Sequence, residues 1–208
     1  MTLLGVTRDL LIPARCAGCR APGAWLCTRC RDECEPAVVR PAPGLVVRGA
    51  GAYGGALRDA IHRFKYGAEP GLAHELGGLL ADQVARDLAT GAVIDALVPV
   101  PLHPGKRLAR GYDQAAMLAE VASVTTGVAF RPALHRIASG PAQVELGREA
   151  RAGNVRGAFV SEAASLRGLR VALVDDVATT CATLLACARA CRVAGARAVR
   201  AYVLALDE

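Results

Sequence analysis

The stretch "VALVDDVATTCATL", residues 171 to 184, joins two adjacent carboxylates to a row of hydroxyl groups. Asp175 and Asp176 directly follow four apolar residues, and the next residues include Thr179, Thr180 and Thr183. Paired carboxylates can accept hydrogen bonds from the hydroxyls of a cis-diol, and they can also face a magnesium ion. Free backbone N–H groups at the start of the following helix would cradle an anion. Carboxylates that bind a diol, next to backbone N–H groups that bind an anion, are what a site for ribose 5-phosphate requires.

A second group of residues suited to an anion lies in "PVPLHPGKRLARG", residues 99 to 111. Lys106, Arg107 and Arg110 stand between two glycines, where cationic side chains can meet phosphate oxygens. A solvated basic turn is the alternative interpretation of the same residues.

The N-terminal cysteines have the spacing of a metal site. The segment "CAGCRAPGAWLCTRC" contains two C-x2-C pairs separated by seven residues, formed by Cys16, Cys19, Cys27 and Cys30. Two such pairs supply four thiolates to one tetrahedral zinc, and four sulfurs leave no open position for catalysis. We therefore expect a structural zinc whose binding supplies the folding energy of this short segment. Free thiols in a loose segment are the alternative.

Cys181 has a competing interpretation as a nucleophile, because a helix N-terminus lowers the pKa of a thiol. No histidine of the sequence stands in a recognisable pairing with it, so this interpretation lacks a base. Cys187 and Cys191 share one face of the predicted helix, where small apolar packing is the simpler explanation.

The composition indicates a globular protein with a sizeable core. The chain has 208 residues, of which 53% are hydrophobic and 21% charged, and no apolar run is long enough to cross a bilayer. The N-terminus does not resemble a signal peptide, so we expect a cytoplasmic protein with reduced cysteines and no membrane insertion. The net charge of +6 suits phosphorylated substrates or nucleic acid, although a solvated surface explains it equally well.

Apolar strands alternate with helices from residue 45 onward, which predicts a mostly parallel sheet covered on both faces. Ligands bind such sheets beyond the carboxyl ends of the strands. The motif "GAGAYG" fits a dinucleotide fingerprint, but a second helical pattern follows it instead of a strand. The predicted strands lie at 93–100, 171–174 and 198–206, and "GLVVRGAGAY" at 44–53 is predicted to be extended. The predicted helices span 54–66, 71–91, 112–127 and 182–194, and "EPAVVRPAPG" at 35–44 is predicted to be a linker.

Beyond these patterns, "VALVDDVATTCAT" resembles the phosphoribosyl pyrophosphate (PRPP) signature of type I phosphoribosyltransferases. Nearly the whole chain resembles the ComF family, phosphoribosyltransferase-like proteins associated with DNA uptake in competence. The matches are the cysteine pairs and the segments "AYGGALRDAIHRFKYG", "LVPVPLHPGKRLARGYDQAAMLA", "LHRIASGPAQVELGREARAGNVRGAF" and the Asp-Asp loop, in family order.

The resemblance implies an α/β, type I phosphoribosyltransferase-like fold with a small zinc knuckle. It divides the chain into an N-terminal zinc-binding segment, 1–40, and a phosphoribosyltransferase-like domain, 45–208. Asp175 and Asp176 would hold the ribose hydroxyls. The 5-phosphate would meet the loop formed by Val177, Ala178, Thr179, Thr180, Cys181, Ala182 and Thr183. The pyrophosphate would meet Lys106, Arg107 and Arg110. Residues 134 to 159 would form a mobile flap that offers Arg136, Gln143, Arg148, Arg151 and Asn154.

Two residues depart from the family pattern, which has glycine where Cys181 stands and asparagine where Asp113 stands. A side chain at 181 would loosen the phosphate cradle, and Asp113 would put a negative charge near the pyrophosphate.

Two functions follow from the resemblance. The first is a PRPP-binding phosphoribosyltransferase that uses magnesium and transfers the ribosyl group to an acceptor that the sequence does not name. The second is a non-catalytic protein that binds nucleotides or single-stranded DNA during uptake, together with proteins of the competence machinery. A homodimer is compatible with either.

Overall fold

The computed structural model describes residues 14–34, 38–137, 158–162 and 164–207. Within them the helices are α1 (Thr28–Asp32), α2 (Gly55–Tyr66), α3 (Leu72–Ala89), α4 (Pro104–Arg110), α5 (Gln114–Thr126) and α6 (Ala182–Val193). The strands are β1 (Val38–Ala42), β2 (Leu45–Ala52), β3 (Ala96–Pro99), β4 (Ala129–Phe130), β5 (Leu134–Arg136), β6 (Phe159–Ser161), β7 (Arg170–Ala178) and β8 (Ala198–Leu206).

Six of the strands form one sheet in the order β1-β2-β8-β7-β3-β4. Only β1 runs antiparallel to its neighbour, whereas the other four pairings are parallel. Strands β5 and β6 form a separate antiparallel ribbon. The α/β class with a mostly parallel sheet is therefore confirmed.

The two faces of the sheet pack against different helices, as the uninterrupted apolar strands predict. In β7, Ala172 and Val174 belong to a core shared with α2, α3 and α5. Their neighbours Val171 and Leu173 belong to a second core shared with α6. Side chains alternate between these two cores from Val171 to Val174, as expected for a strand. Beyond the two carboxylates the order is reversed, because Val177 packs against the first core and Ala178 belongs to the second.

Strand β7 is longer than predicted and contains both carboxylates. The prediction ended this strand at Val174, but pairing with β8 continues to Ala178, which lies opposite Leu206. On its other side, β3 stops at Pro99, opposite Val174. Beyond that point β7 has a neighbour on one side only, so a crevice opens beside Asp175 and Asp176.

The predicted proline-bearing linker is in part an edge strand. Residues 38–42 form β1, which pairs antiparallel with β2 in a hairpin closed at Ala42 and Leu45. Pro41 lies within this strand, and its position at the edge of the sheet is where a residue without an N–H can be accommodated. The linker prediction was wrong for these five residues.

The cysteine knuckle, residues 16–30, packs directly onto the body of the protein. Cys16, Leu26 and Cys30 are buried in the same core as α2 and α3. A Cβ atom at Gly71, immediately before α3, would lie 2.4 Å from Nε1 of Trp25, so glycine is required for this contact.

The contact between α3 and α5 gives a matched pair of substitutions. A Cβ atom at Gly77 would lie 2.6 Å from Cβ of Val121, whereas at Gly78 its nearest neighbour is an Arg31 guanidinium at 3.5 Å. Gly77→Ala should lower the free energy of unfolding by about 1–2 kcal/mol, because overpacking outweighs the gain in helix propensity. Gly78→Ala should raise it by up to about 1 kcal/mol. Thermal melts of the two variants should therefore shift in opposite directions, and shifts of the same sign would contradict the packing.

Candidate functional site

A cavity of about 290 Å³ opens beyond the carboxyl ends of β3 and β7, and we call it the carboxyl-edge cavity. It contains both carboxylates at the end of β7 and several of the basic residues predicted from the sequence. Its lining consists of Lys65, Tyr66, Val100, Pro101, Leu102, His103, Lys106, Arg110, Asp113, Gln114, Ala115, Arg136, Asp175, Asp176 and Thr183.

The two adjacent carboxylates of β7 have different partners. Nζ of Lys65, near the end of α2, lies 2.7 Å from Oδ1 of Asp176, and both side chains are largely buried. Oδ1 of Asp175 accepts a hydrogen bond of 2.8 Å from the backbone N–H of Asp176. One carboxylate is thus neutralised by a lysine and the other is held by the backbone.

Asp175 is the less favourably placed carboxylate for ionisation. Burial, followed by the negative charge of Asp176, raises the pKa of Asp175 to about 8, although the N–H of Asp176 and the charge of Lys65 act in the opposite direction. A ligand hydroxyl or a cation beside Asp175 would reduce the electrostatic cost of ionising this carboxylate.

The basic segment forms the short helix α4 rather than a loop. His103 caps it by accepting a hydrogen bond of 3.1 Å at Nδ1 from the N–H of Gly105. Lys106 and Arg110 border the carboxyl-edge cavity. Arg107 is exposed and lies outside the lining.

Arg110 is held between two residues that the sequence did not single out. Its guanidinium lies 5.1 Å from the centroid of the Tyr66 ring, within the range of a cation–π contact. Its Nη1 donates to Oε1 of Gln114 at 3.0 Å. These contacts restrict the guanidinium to one region of the cavity wall.

The loop that joins β7 to α6 contains a residue in an unusual conformation. Cys181, the N-cap of α6, has φ 57° and ψ 7°, the left-handed region that glycine adopts without steric cost. Its side chain is buried in the core beneath α6. The departure from glycine therefore carries a conformational cost of about 1–2 kcal/mol, and the thiol occupies the core rather than the loop surface.

The hydroxyls of this loop have different environments. Thr183 borders the carboxyl-edge cavity, whereas Thr179 and Thr180 are exposed and lie outside its lining. Arg40 of β1 donates hydrogen bonds to the carbonyl oxygens of Thr179 and Asp207. The edge strand thereby anchors the loop, and its guanidinium adds positive charge beside it.

Asp113 borders the carboxyl-edge cavity and also has a structural task. Its Oδ1 accepts a hydrogen bond of 3.1 Å from the N–H of Ala116, which makes Asp113 the N-cap of α5. Asparagine caps a helix equally well, so the aspartate adds negative charge without improving the cap. This charge is one of the contributions that raise the pKa of Asp175.

Among the predicted flap residues, only Arg136 falls within the described part of the chain. It ends β5, borders the carboxyl-edge cavity and packs 5.2 Å from the centroid of the Phe159 ring. Gln143, Arg148, Arg151 and Asn154 lie outside the described residues.

The four knuckle cysteines form one cluster, as their spacing predicts. Their Sγ atoms all lie within 4.8 Å of one another, and those of Cys19 and Cys27 are 3.7 Å apart. Tetrahedral coordination by Zn–S bonds of about 2.3 Å separates sulfurs by about 3.8 Å. The donor set fits a structural metal such as zinc.

The pKa values of the cysteine thiols in this cluster also indicate that a cation is needed to hold all four as thiolates. Burial opposes ionisation of Cys16, but N–H groups of Cys27, Cys19 and Gly18 outweigh it and lower its pKa to about 6. Burial, assisted by the neighbouring sulfurs, raises the pKa of Cys30 to about 12. Because thiolates repel one another, a bound cation is needed to ionise all four.

Comparison with curated proteins finds relatives along almost the entire chain. The sequence is 26% identical to DNA utilization protein YhgH of Salmonella typhi over 94% of this chain and 98% of that protein. The identity to DNA utilization protein YhgH of Salmonella typhimurium is 27%, and to that of Escherichia coli 26%, with the same coverage. This similarity confirms the ComF resemblance predicted from the sequence. No family model matches the chain.

Comparison with solved structures finds partial matches. A glutamine PRPP amidotransferase from B. subtilis, complexed with ADP and GMP, matches with a TM-score of 0.48 and 20% identity. An allosteric regulatory enzyme of purine biosynthesis matches with a TM-score of 0.48 and 21% identity. Each alignment covers 69% of this chain but only 30% of the other chain, so this chain spans less than a third of either structure.

No helix among the described residues is long and apolar enough to span a membrane.

The cysteine cluster predicts about one zinc ion per chain in protein purified without added metal, measured by elemental analysis. Cys27→Ser should lose the ion, because one of the four sulfurs is removed. Cys34→Ser is the matched control: its thiol donates to the carbonyl of Cys30 at 3.4 Å and lies outside the cluster, so the ion should remain. A folded, metal-free protein would contradict the site.

The raised pKa of Asp175 predicts a pH-dependent stability. An unfolded aspartate ionises near its ordinary pKa of 3.8, whereas folded Asp175 keeps its proton to about pH 8. The folded state therefore loses stability as pH rises through this interval, and Asp175→Asn should remove that loss. The melting temperature of Asp175→Asn should exceed that of the native protein by more at pH 8 than at pH 5. Asp59→Asn, at a surface residue paired with Arg58, is the control for the removal of one carboxylate.

Proposed function

We propose that this protein binds PRPP in the carboxyl-edge cavity and is a phosphoribosyltransferase-like protein of the ComF type. The observation that carries the proposal is the arrangement of charge in one cavity. Asp175 and Asp176 lie at the end of β7, and Lys106 and Arg110 approach the same space from α4. Carboxylates suit hydroxyl donors and cations suit phosphate oxygens, so one ligand carrying a diol and phosphates satisfies both groups.

Each part of PRPP has a matching group in this assignment. The ribose hydroxyls donate to Asp175 and Asp176. The 5-phosphate accepts from Thr183 and from backbone N–H groups of the loop 177–183 at the start of α6. The pyrophosphate meets Lys106 and Arg110, and magnesium accompanies it as part of the substrate. Arg136, which borders the cavity, adds a further phosphate contact, whereas Arg107, exposed outside the lining, would have to turn toward the ligand to add another.

The chemistry that such an arrangement supports is displacement at the anomeric carbon. The bond from this carbon to pyrophosphate breaks, pyrophosphate leaves with the bonding electrons, and a bond to the acceptor nucleophile forms. Positive charge from Lys106, Arg110 and magnesium stabilises the departing pyrophosphate, while the carboxylates hold the ribose in place.

The names of the relatives favour a second candidate function. The YhgH proteins, which match nearly the full chain, are called DNA utilization proteins. In this alternative the cavity holds the terminal nucleotide of single-stranded DNA, and the knuckle contacts nucleic acid or a partner protein. The phosphate-binding cations serve either function. The carboxylates of Asp175 and Asp176 have a binding role only if the ligand offers two hydroxyls.

A thermal melt distinguishes the two functions. PRPP with magnesium, at a hundredfold excess over its dissociation constant, should stabilise the native protein by about 2.7 kcal/mol. The double variant Asp175→Asn, Asp176→Asn should lose this stabilisation. Asp95→Asn is the control, because Asp95 pairs with Arg170 at the opposite edge of the sheet and should leave the PRPP effect intact.

Equal PRPP shifts in the native protein and the double variant would refute the diol-binding role. If PRPP shifts neither protein while a labelled single-stranded oligonucleotide binds both, the second candidate replaces the first.

A further inference from the structure

Gln114 is the most deeply buried polar residue that borders the carboxyl-edge cavity. It is the first residue of α5, and only 1% of its surface is exposed. Its Oε1 accepts the hydrogen bond from Arg110, whereas its Nε2 has no hydrogen-bond partner within the described chain and no contact with solvent. A buried donor without an acceptor is costly and therefore uncommon in a folded protein.

The contact with Arg110 determines which way the amide faces. A guanidinium carries only donors, so the atom of Gln114 that meets it must be the oxygen. Rotating the amide by half a turn would place N–H groups against N–H groups. The NH2 group is therefore directed away from Arg110 and kept available for another acceptor.

The position of this donor suggests its partner. Arg110 is held from one side by the ring of Tyr66 and from another by Gln114. All three residues border the same cavity. A ligand oxygen that approaches Arg110 thus comes close to this donor, and a rotation of the Gln114 side chain toward the cavity would bring the two into contact.

We propose that Nε2 of Gln114 donates a hydrogen bond to a phosphate-group oxygen of the ligand held by Arg110. This inference rests on the proposed function and adds a ligand-binding residue to it. Gln114 and Arg110 form a pair of donors, one neutral and one charged, and the neutral member selects for an acceptor at a defined place. Neither the spacing of the basic residues nor the Asp pair indicates such a role.

The test uses inorganic pyrophosphate with magnesium as the probe, with affinity measured by titration calorimetry on the full chain. Gln114→Met keeps the length of the side chain and removes the donor. A hydrogen bond to a charged acceptor is lost, so the affinity should fall about ten- to a hundredfold. Gln83→Met is the control, because Gln83 is buried in α3 and lies outside the cavity lining. Melting curves establish that each variant is folded.

A double-mutant cycle separates a direct contact from a positioning role. If Nε2 contacts the ligand, Gln114→Met should still weaken binding when it is introduced into Arg110→Met. If Gln114 only orients Arg110, its effect should disappear in that background, which would overturn the inference. An unchanged affinity of Gln114→Met in the otherwise native chain would also overturn it.

The outcome for the native protein distinguishes this inference from the proposed function. Binding of pyrophosphate that depends on Gln114, without a thermal shift from PRPP, would support the donor and refute the proposed function. A PRPP shift without pyrophosphate binding would overturn the inference alone. If neither the PRPP shift nor pyrophosphate binding is observed, the proposed function and this inference are both overturned.

Discussion

The burial of two adjacent carboxylates at the end of β7 is the constraint on which the candidate site depends. Neighbouring strand residues face opposite sides of the sheet, so the two charges require different compensation. Asp176 pairs with Lys65 of α2, whereas Asp175 has no such partner among the described residues and retains a raised pKa. Such an arrangement costs stability in the absence of a ligand, as is common at functional sites. The cavity exists because β3 stops at Pro99, one strand away from the pair.

Helix α2 links this pair to the rest of the molecule. Lys65 and Tyr66 end the helix at the cavity, and the hydroxyl of Tyr112 donates to the carbonyl of Phe64 immediately before them. Arg63, the residue before Phe64, donates to the carbonyl oxygens of Arg15 and Cys16 in the knuckle segment. The position of the lysine that neutralises Asp176 is therefore supported by contacts with the segment that contains the cysteine cluster.

Features encoded by local spacing could be predicted from the sequence, and those that arise from pairing could not. The spacing of the knuckle cysteines predicts their convergence, and Gly127 closes α5 with φ 73° where the sequence places the end of a helix. The length of β7 was missed because it depends on β8, and β1 because its partner β2 overrides the prolines. Lys65 was missed because a helical pattern shows which residues share a face but not which strand that face covers.

The contact between Trp25 and Gly71 has a practical consequence. Trp25 is the sole tryptophan of the chain, and its indole covers the start of α3 at the point where the knuckle meets the body. Indole fluorescence responds to the polarity of its surroundings, so the emission of this one residue reports whether the knuckle is seated. The protein thus contains an intrinsic optical probe of the interface between its two parts, and no label needs to be attached to follow their separation.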